Sequence, residues 1–301
     1  MDKSYGIELL DLVKEIKQNP DVNLQMLADA MKISYPALRG MIYRAQKGTD
    51  RTGEVGSPGL FDPLAELPPP LHDLSGDFII IGDVHVPSTD YEFAQLPVMI
   101  AKKHLKKPRK LIIAGDWWNM DTFSCYPEIV KSVTFQQEAK ASEHLMKILC
   151  EAFDEIYYIM GNHDRRIERF SRGQITPGML MKERGNVTIS EWGHCIVNNT
   201  WRVTHSSNYS VNQLVVADQL AQKYQMNIIA HHSHQFAIGT DRYGRYTIIN
   251  NGGLFDPGKL IYAILDDNKS PAMIPGFTML KNGYPYLFGK IGMFTDWDRW
   301  L

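Results

Sequence analysis

The pattern of apolar and polar positions changes character twice along the chain. Over residues 1–48 apolar positions recur at helical spacing. Ile7, Leu10, Val13 and Ile16 form one stripe, which Asn19-Pro20 ends. Asn23 is placed to cap a second helix, Leu24–Met31, and Ser34 a third, Tyr35–Gln46. Pro36 falls in the first turn of the third helix, where a missing N–H costs nothing. Two short helices joined by a tight turn predict a helix-turn-helix, with Ala28 as the small contact residue and Ile33, Leu38 and Ile42 as core. Lys32 stands where that turn usually holds Gly. Between residues 49 and 76 the periodicity gives way to Gly53, Gly56, Pro58, Gly59, Pro63 and Pro68-Pro69-Pro70. This predicts a linker with a stiff, extended end.

From residue 77 the pattern is one of short apolar runs separated by helical or polar stretches. Phe78–Ile81, Leu111–Ala114 and Ile156–Met160 read as buried strands, since all-apolar runs bounded by Gly suit a parallel sheet covered on both faces. Phe135–Phe153 reads as a helix with Phe135, Ala139, Ser142, Leu145, Leu149 and Phe153 along one face. Shorter strands follow at Val187–Ile189, Cys195–Val197, Trp201–Thr204, Asn227–Ala230 and Tyr246–Ile249, with a helix at Val211–Tyr224 and a hairpin turn at Asn282-Gly283. Alternation first and strands later predicts an α/β sandwich with mixed sheets, preceded by a small all-α domain. The expected division is therefore 1–48 helical, 49–76 linker and 77–301 sandwich.

Composition narrows the function classes. The chain has 301 residues, 44% apolar and 22% charged, with a net charge of −2. No global positive charge draws it to nucleic acid, so any such contact must come from a local patch. One exists: residues 31–49 carry Lys32, Arg39, Arg44 and Lys47 and no acid. A basic second helix suits groove reading, which makes Arg39, Arg44 and Lys47 candidate DNA contacts. A helical assembly module or a solvated basic face remains open. Three cysteines without paired spacing, no run long enough for a membrane helix and no signal-peptide pattern predict a soluble cytoplasmic chain. His72, His104, His144 and His194 stand outside any motif and are read as structural.

The remaining chemistry is concentrated at strand ends. Asp83-Val84-His85 follows the first strand and Gly115-Asp116 the second. Gly161-Asn162-His163-Asp164 follows the third, His205 follows Trp201–Thr204, and His232-Ser233-His234 follows Asn227–Ala230. Ligands of a parallel sheet gather past its carboxyl ends. In an extended segment residues i and i+2 point the same way, so Asp83 and His85 are expected to reach one cation. Carboxylate, amide and imidazole donors without thiolate suit Mn2+, Fe, Zn2+ or Ni2+ better than Ca2+ or a structural zinc, and they are numerous enough for two ions.

In order and spacing these motifs resemble the calcineurin-like metallophosphoesterase superfamily over roughly residues 77–255. The resemblance implies a four-layer α/β/β/α sandwich of two mixed sheets. It implies one divalent cation, Mn2+ foremost, on Asp83, His85 and His234, a second on Asn162, His205 and His232, and Asp116 bridging them. Hydroxide activated by the pair would attack phosphorus, with His163 at the scissile phosphate and Asp164 beside it. Asn119 stands where relatives often place an Asp that orients the catalytic His. Met120-Asp121 replaces the Arg-Gly of protein Ser/Thr phosphatases, which argues against that class. His231 stands where Gly usually precedes the last motif, and His205 lacks a following Gly.

Substrate selection is expected from Arg165, Arg166 and Arg169. In a helix starting at Arg165, residues 165, 169 and 172 share a face, and guanidinium forks suit phosphate oxygens. A solvated helix paired through Glu168 is the competing reading. Trp117, Trp118, Phe123 and Tyr126 either stack bases or cover the sandwich edge. The expected activity is a phosphodiesterase or nuclease brought to DNA by residues 1–48. A phosphomonoesterase or small-nucleotide hydrolase that oligomerises through residues 1–48, or an inactive DNA-binding regulator, are the alternatives.

Overall fold

The chain divides into two units, residues 1–66 and 67–301. A computed structural model describes residues 69–124, 133–181, 184–260, 264 and 272–301. The expectations for the helical module, its Arg39, Arg44 and Lys47, and Tyr126 therefore lie outside the described residues.

Among the described residues, twelve strands make two six-stranded sheets. The first has the order β12-β11-β2-β3-β4-β5, from Tyr284–Gly289, Gly276–Lys281, Phe78–Ile81, Lys110–Ala114, Glu155–Ile159 and Val187–Ser190. The second has the order β1-β6-β7-β8-β10-β9, from Leu71–Leu74, His194–Val197, Trp201–His205, Asn227–His231, Thr247–Asn251 and Phe236–Thr240. In the first sheet β2 to β5 run parallel, and β11 pairs antiparallel with both β2 and β12. The second sheet is also mixed. Five helices are described: α1 Leu96–His104, α2 Phe135–Ala152, α3 Arg166–Phe170, α4 Pro177–Leu180 and α5 Val215–Tyr224.

The side-chain alternation of β2 explains the layering. Phe78 and Ile80 point into the core between the sheets, with Ile112, Val203, Ile229 and Ile249. Ile79 and Ile81 point the other way, into a core shared with Ile100 of α1 and Leu145 and Leu149 of α2. On the second sheet Ile228 and Ile248 pack on Ala217 and Ala221 of α5. Helices, sheet, sheet and helix thus form the four expected layers, and β2 is apolar throughout because both its faces are buried. Each such side chain contributes roughly 1.5–3 kcal/mol of burial.

Several elements differ from the sequence expectation. The stretch expected to be linker contains β1, which pairs parallel with β6. The helix expected over 211–224 begins at Val215, because the Gln235 amide donates to the carbonyls of Ser210 and Val211 and holds them outside it. Helix α1 is apolar through its first turns, with Leu96, Pro97, Val98, Ile100 and Ala101 buried, so it shows no amphipathic stripe. Among the described residues no helix is long and apolar enough to cross a membrane.

Candidate metal centre

The ligand-type side chains all stand at or just past strand ends. Asp83 and His85 follow β2, Asp116 follows β3, and Asn162 and His163 follow β4. His205 closes β7, and His232 and His234 follow β8. Because β2, β3 and β4 run parallel, as do β7 and β8, each set of ends lies together. Hydrogen bonds then join one set to the other. His205 Nδ1 donates to Ala114 O at 3.0 Å, and His231 Nδ1 to an Asp83 oxygen at 2.9 Å.

The local backbone corrects one expectation. Asp83 (φ 44°) and His85 (φ 49°) are left-handed, so they converge through a tight winding and not through an extended strand. Asp116 (φ 49°), His232 (φ 94°) and His234 (φ 58°) share that conformation. It costs a non-Gly residue about 1–2 kcal/mol, and its recurrence at candidate ligand positions marks strain held by a rigid scaffold.

Three overlapping groups of donors result: Asp83, His85 and His234; His85, Asp116 and His163; Asp116, His205 and His232. In the first, His234 Nε2 lies 3.2 Å from Asp83 Oδ1 and 2.9 Å from His85 Nε2. Asp116 Oδ2 stands between the other two, 3.9 Å from His85 Nε2 and 3.2 Å from His205 Nε2. Asn162 Oδ1 reaches His205 Nε2 at 3.0 Å.

Burial and mutual charge set the protonation of these groups. Burial alone would raise Asp83, but hydrogen bonds from His231 and His234 hold it well below the usual carboxylate range. Burial likewise works against Asp116, and the charge of His205 prevails and lowers it. Burial pushes His85 down to about 3 and His232 to about 4, which favours the neutral, ligating imidazole. Burial also opposes a charged His205, yet Asp116 carries it up to about 10. The centre attracts positive charge at that point.

The family model for the calcineurin-like phosphoesterase domain matches residues 76–237, more than half of the chain. The chain belongs to the calcineurin-like phosphoesterases. No curated protein matches it in sequence. Solved structures that align with this chain include Vps29 of Chaetomium thermophilum, at 12% identity over 71% of this chain and 90% of that one, with a TM-score of 0.38. They also include zinc-complexed Vps29 of Entamoeba histolytica, at 14% identity over 72% and 94%, with a TM-score of 0.37. A cold-active protein-tyrosine phosphatase of a Shewanella species aligns at 10% identity over 78% and 84%, with a TM-score of 0.36.

The donor set of this phosphoesterase fits a pair of divalent cations. Asp116 Oδ2 is fully buried without a well-formed hydrogen bond and has the His205 imidazole 3.2 Å away, so the oxygen is met by positive charge only while that ring is protonated, and a neutral, ligating His205 leaves the place to a cation. His85 Nε2 and His234 Nε2 share a hydrogen bond at 2.9 Å, and His234 Nε2 lies 3.2 Å from Asp83 Oδ1, so the three donor atoms are close enough for one cation to take the place of the shared proton. The supporting bonds point the ligand atoms inward. His85 Nδ1 donates to Asn119 Oδ1 (3.3 Å), leaving Nε2 for the centre. His231 donates to Asp83 and, through Nε2, accepts from Asn251, whose own carbonyl accepts from Thr278. Asn251 and Thr278 escaped the sequence reading. The available signal was the position of Asn251 at a strand end before Gly252-Gly253, like the other motifs.

Other expected roles shift. Asp164 is buried and accepts from the backbone N–H groups of Asp116, Trp118 and Gly161, so it fastens two loops and does not face the centre. Burial and the nearby Asp116 push it up to about 6. His163 is oriented by the backbone carbonyl of Asn119 (2.9 Å), not by its side chain. Helix α3 is short and begins at Arg166, one residue later than expected. Arg165 pairs with Glu168 and the Glu191 carbonyl. Arg166 is the one that reaches the centre, with Nη2 2.9 Å from His163 Nε2. Arg165, Arg169 and Arg172 come together, with Glu168 and Gly173, around an open depression of about 500 Å3. Trp117 and Trp118 are core residues, while Phe123 packs between Phe135 and the exposed Phe170.

Proposed function

We propose that this phosphoesterase hydrolyses phosphodiester bonds of nucleic acid. Asp83, His85 and His234 would hold one divalent cation and Asn162, His205 and His232 a second, with Asp116 shared between them. The observation that supports this reading is the buried Asp116 carboxylate, which belongs to both the His85–His163 and the His205–His232 donor groups. When bound, the cations supply Lewis acidity at the phosphoryl oxygens and lower the pKa of a water molecule. Manganese is the metal we assign, from the mixture of carboxylate, amide and imidazole donors without thiolate.

The protein's own contribution is positioning. Left-handed turns at five ligand positions fix the donors before substrate arrives. His163, held by Asn119 O and by its backbone N–H to Asp116 (2.7 Å), forms the edge beside the bridging carboxylate. The arginine-lined depression and the Phe123–Phe170 pair favour a strand of polyanion with stackable bases over a small ester. The acid-free basic run at residues 31–49 supports a recruiting role on DNA.

The test is a comparison of model esters with the Mn2+-loaded full chain. Faster cleavage of bis-p-nitrophenyl phosphate than of p-nitrophenyl phosphate is expected. The opposite preference overturns the diesterase reading in favour of a monoesterase.

A further inference from the structure

Arg166 is tied down more thoroughly than a surface arginine needs to be. Its Nη1 donates to Asn119 O (2.8 Å) and to Asp121 Oδ1 (3.0 Å), and its Nη2 to His163 Nε2 (2.9 Å). The side chain is only 12% exposed. The other oxygen of Asp121 accepts from Asn119 Nδ2 (2.7 Å), and Asn119 Oδ1 accepts from the ligand His85. The left-handed, buried Met120 (φ 54°) turns the chain so that Asp121 comes back to meet this guanidinium. The carboxylate missing at position 119 is thus supplied two residues later, and it serves an arginine.

The geometry also fixes what His163 can do. A carbonyl only accepts, so His163 Nδ1 is the donor to Asn119 O. A guanidinium only donates, so Nε2 accepts from Arg166. The ring nitrogen facing the centre therefore offers a lone pair to Arg166, and the positive charge at this edge belongs to the arginine. Among the described residues, Arg166 Nε–H and the second Nη2–H have no partner. Two fixed N–H groups left over beside a cation centre match the planar, bidentate demand of phosphoryl oxygens.

We infer that Arg166 contacts the phosphoryl oxygens of the substrate, and that His163 and Asp121 are positioning residues acting through it. This rests on the phosphodiesterase reading of the centre. No proton moves in the contact: two N–H donors meet two oxygens, and the ring keeps its Nδ1–H.

The experiment uses the Mn2+-loaded full chain, bis-p-nitrophenyl phosphate for rates and inorganic phosphate for calorimetric binding. Arg166→Ala is expected to lower kcat/KM by about 10²–10³ and to weaken phosphate binding at least about tenfold. Added guanidinium restores part of the rate to Arg166→Ala and none to His163→Ala. His163→Ala combined with Arg166→Ala is no slower than Arg166→Ala alone, since one acts through the other. Arg166→Lys, which keeps charge and length, covers the case in which the alanine variant does not fold, and it too stays well below wild type because it lacks the fork. Wild-type rate and phosphate affinity in either variant, or a double variant slower by the product of the singles, overturns the inference. A wild-type chain that cleaves no ester fails at the earlier step, the function itself.

Discussion

Glu138 lies in the first turn of α2, 3% exposed, and its carboxylate accepts the Met120 N–H at 2.8 Å. Burial, opposed by the Met120 and Asn119 N–H bonds, pushes it up to about 7 from an ordinary value of 4.5. A carboxyl raised on folding binds its proton more tightly in the native chain. Its stabilising contribution is therefore complete below the unfolded value and is lost as pH rises through the folded one. Stability should fall between about pH 5 and pH 8, by up to roughly 3 kcal/mol from this group. Glu138→Gln keeps the acceptor for Met120 and removes the titration. Thermal melts should show the variant more stable than wild type at pH 8 and indistinguishable at pH 5; parallel pH profiles would contradict this. The same scale shows why single residues were unevenly legible. The ligand types at 83, 85, 116, 162, 205, 232 and 234 follow from strand ends, which apolar runs announce. The Arg165–Arg166 choice and the carbonyl, instead of the side chain, of Asn119 depend on the turn at Met120, which no periodicity encodes.

Each motif loop packs against the next at glycines with no room for a side chain. A Cβ on Gly161 would overlap Asp116 Oδ1 and the Asp116 backbone nitrogen. Backbone cannot swing aside as a long side chain can, so the loop after β4 must move and carry Asn162 and His163 with it. Gly161→Ala is predicted to cost about 1–3 kcal/mol of stability and about 10²-fold in turnover, because misplacement near 1 Å is that expensive. Gly185→Ala, where a Cβ meets nothing within 4 Å, is the control and should leave both unchanged. Melting curves and initial rates on the two variants decide it. Strands buried on both faces were readable as continuous apolar runs. Helix α1 was not, because it is apolar around its first turns, nor was β9, where Gly239 interrupts an edge strand with exposed alternate positions.

At the scale of the molecule, two mixed sheets stacked face to face bring five strand ends to one side, and the α/β/β/α layering follows from which face of each strand is apolar. The order of strands was beyond the sequence pattern, since the long crossover from β2 in one sheet to β11, near the end of the chain, leaves no local mark. The architecture nonetheless places Asp116 where two donor groups meet. The most direct test of the account is the stoichiometry of Mn2+ uptake by the chelator-stripped full chain, read by calorimetry on wild type and Asp116→Ala. Two ions per folded wild-type chain, and fewer than two in the variant, are predicted. A folded wild-type chain that takes up one ion or none contradicts the account.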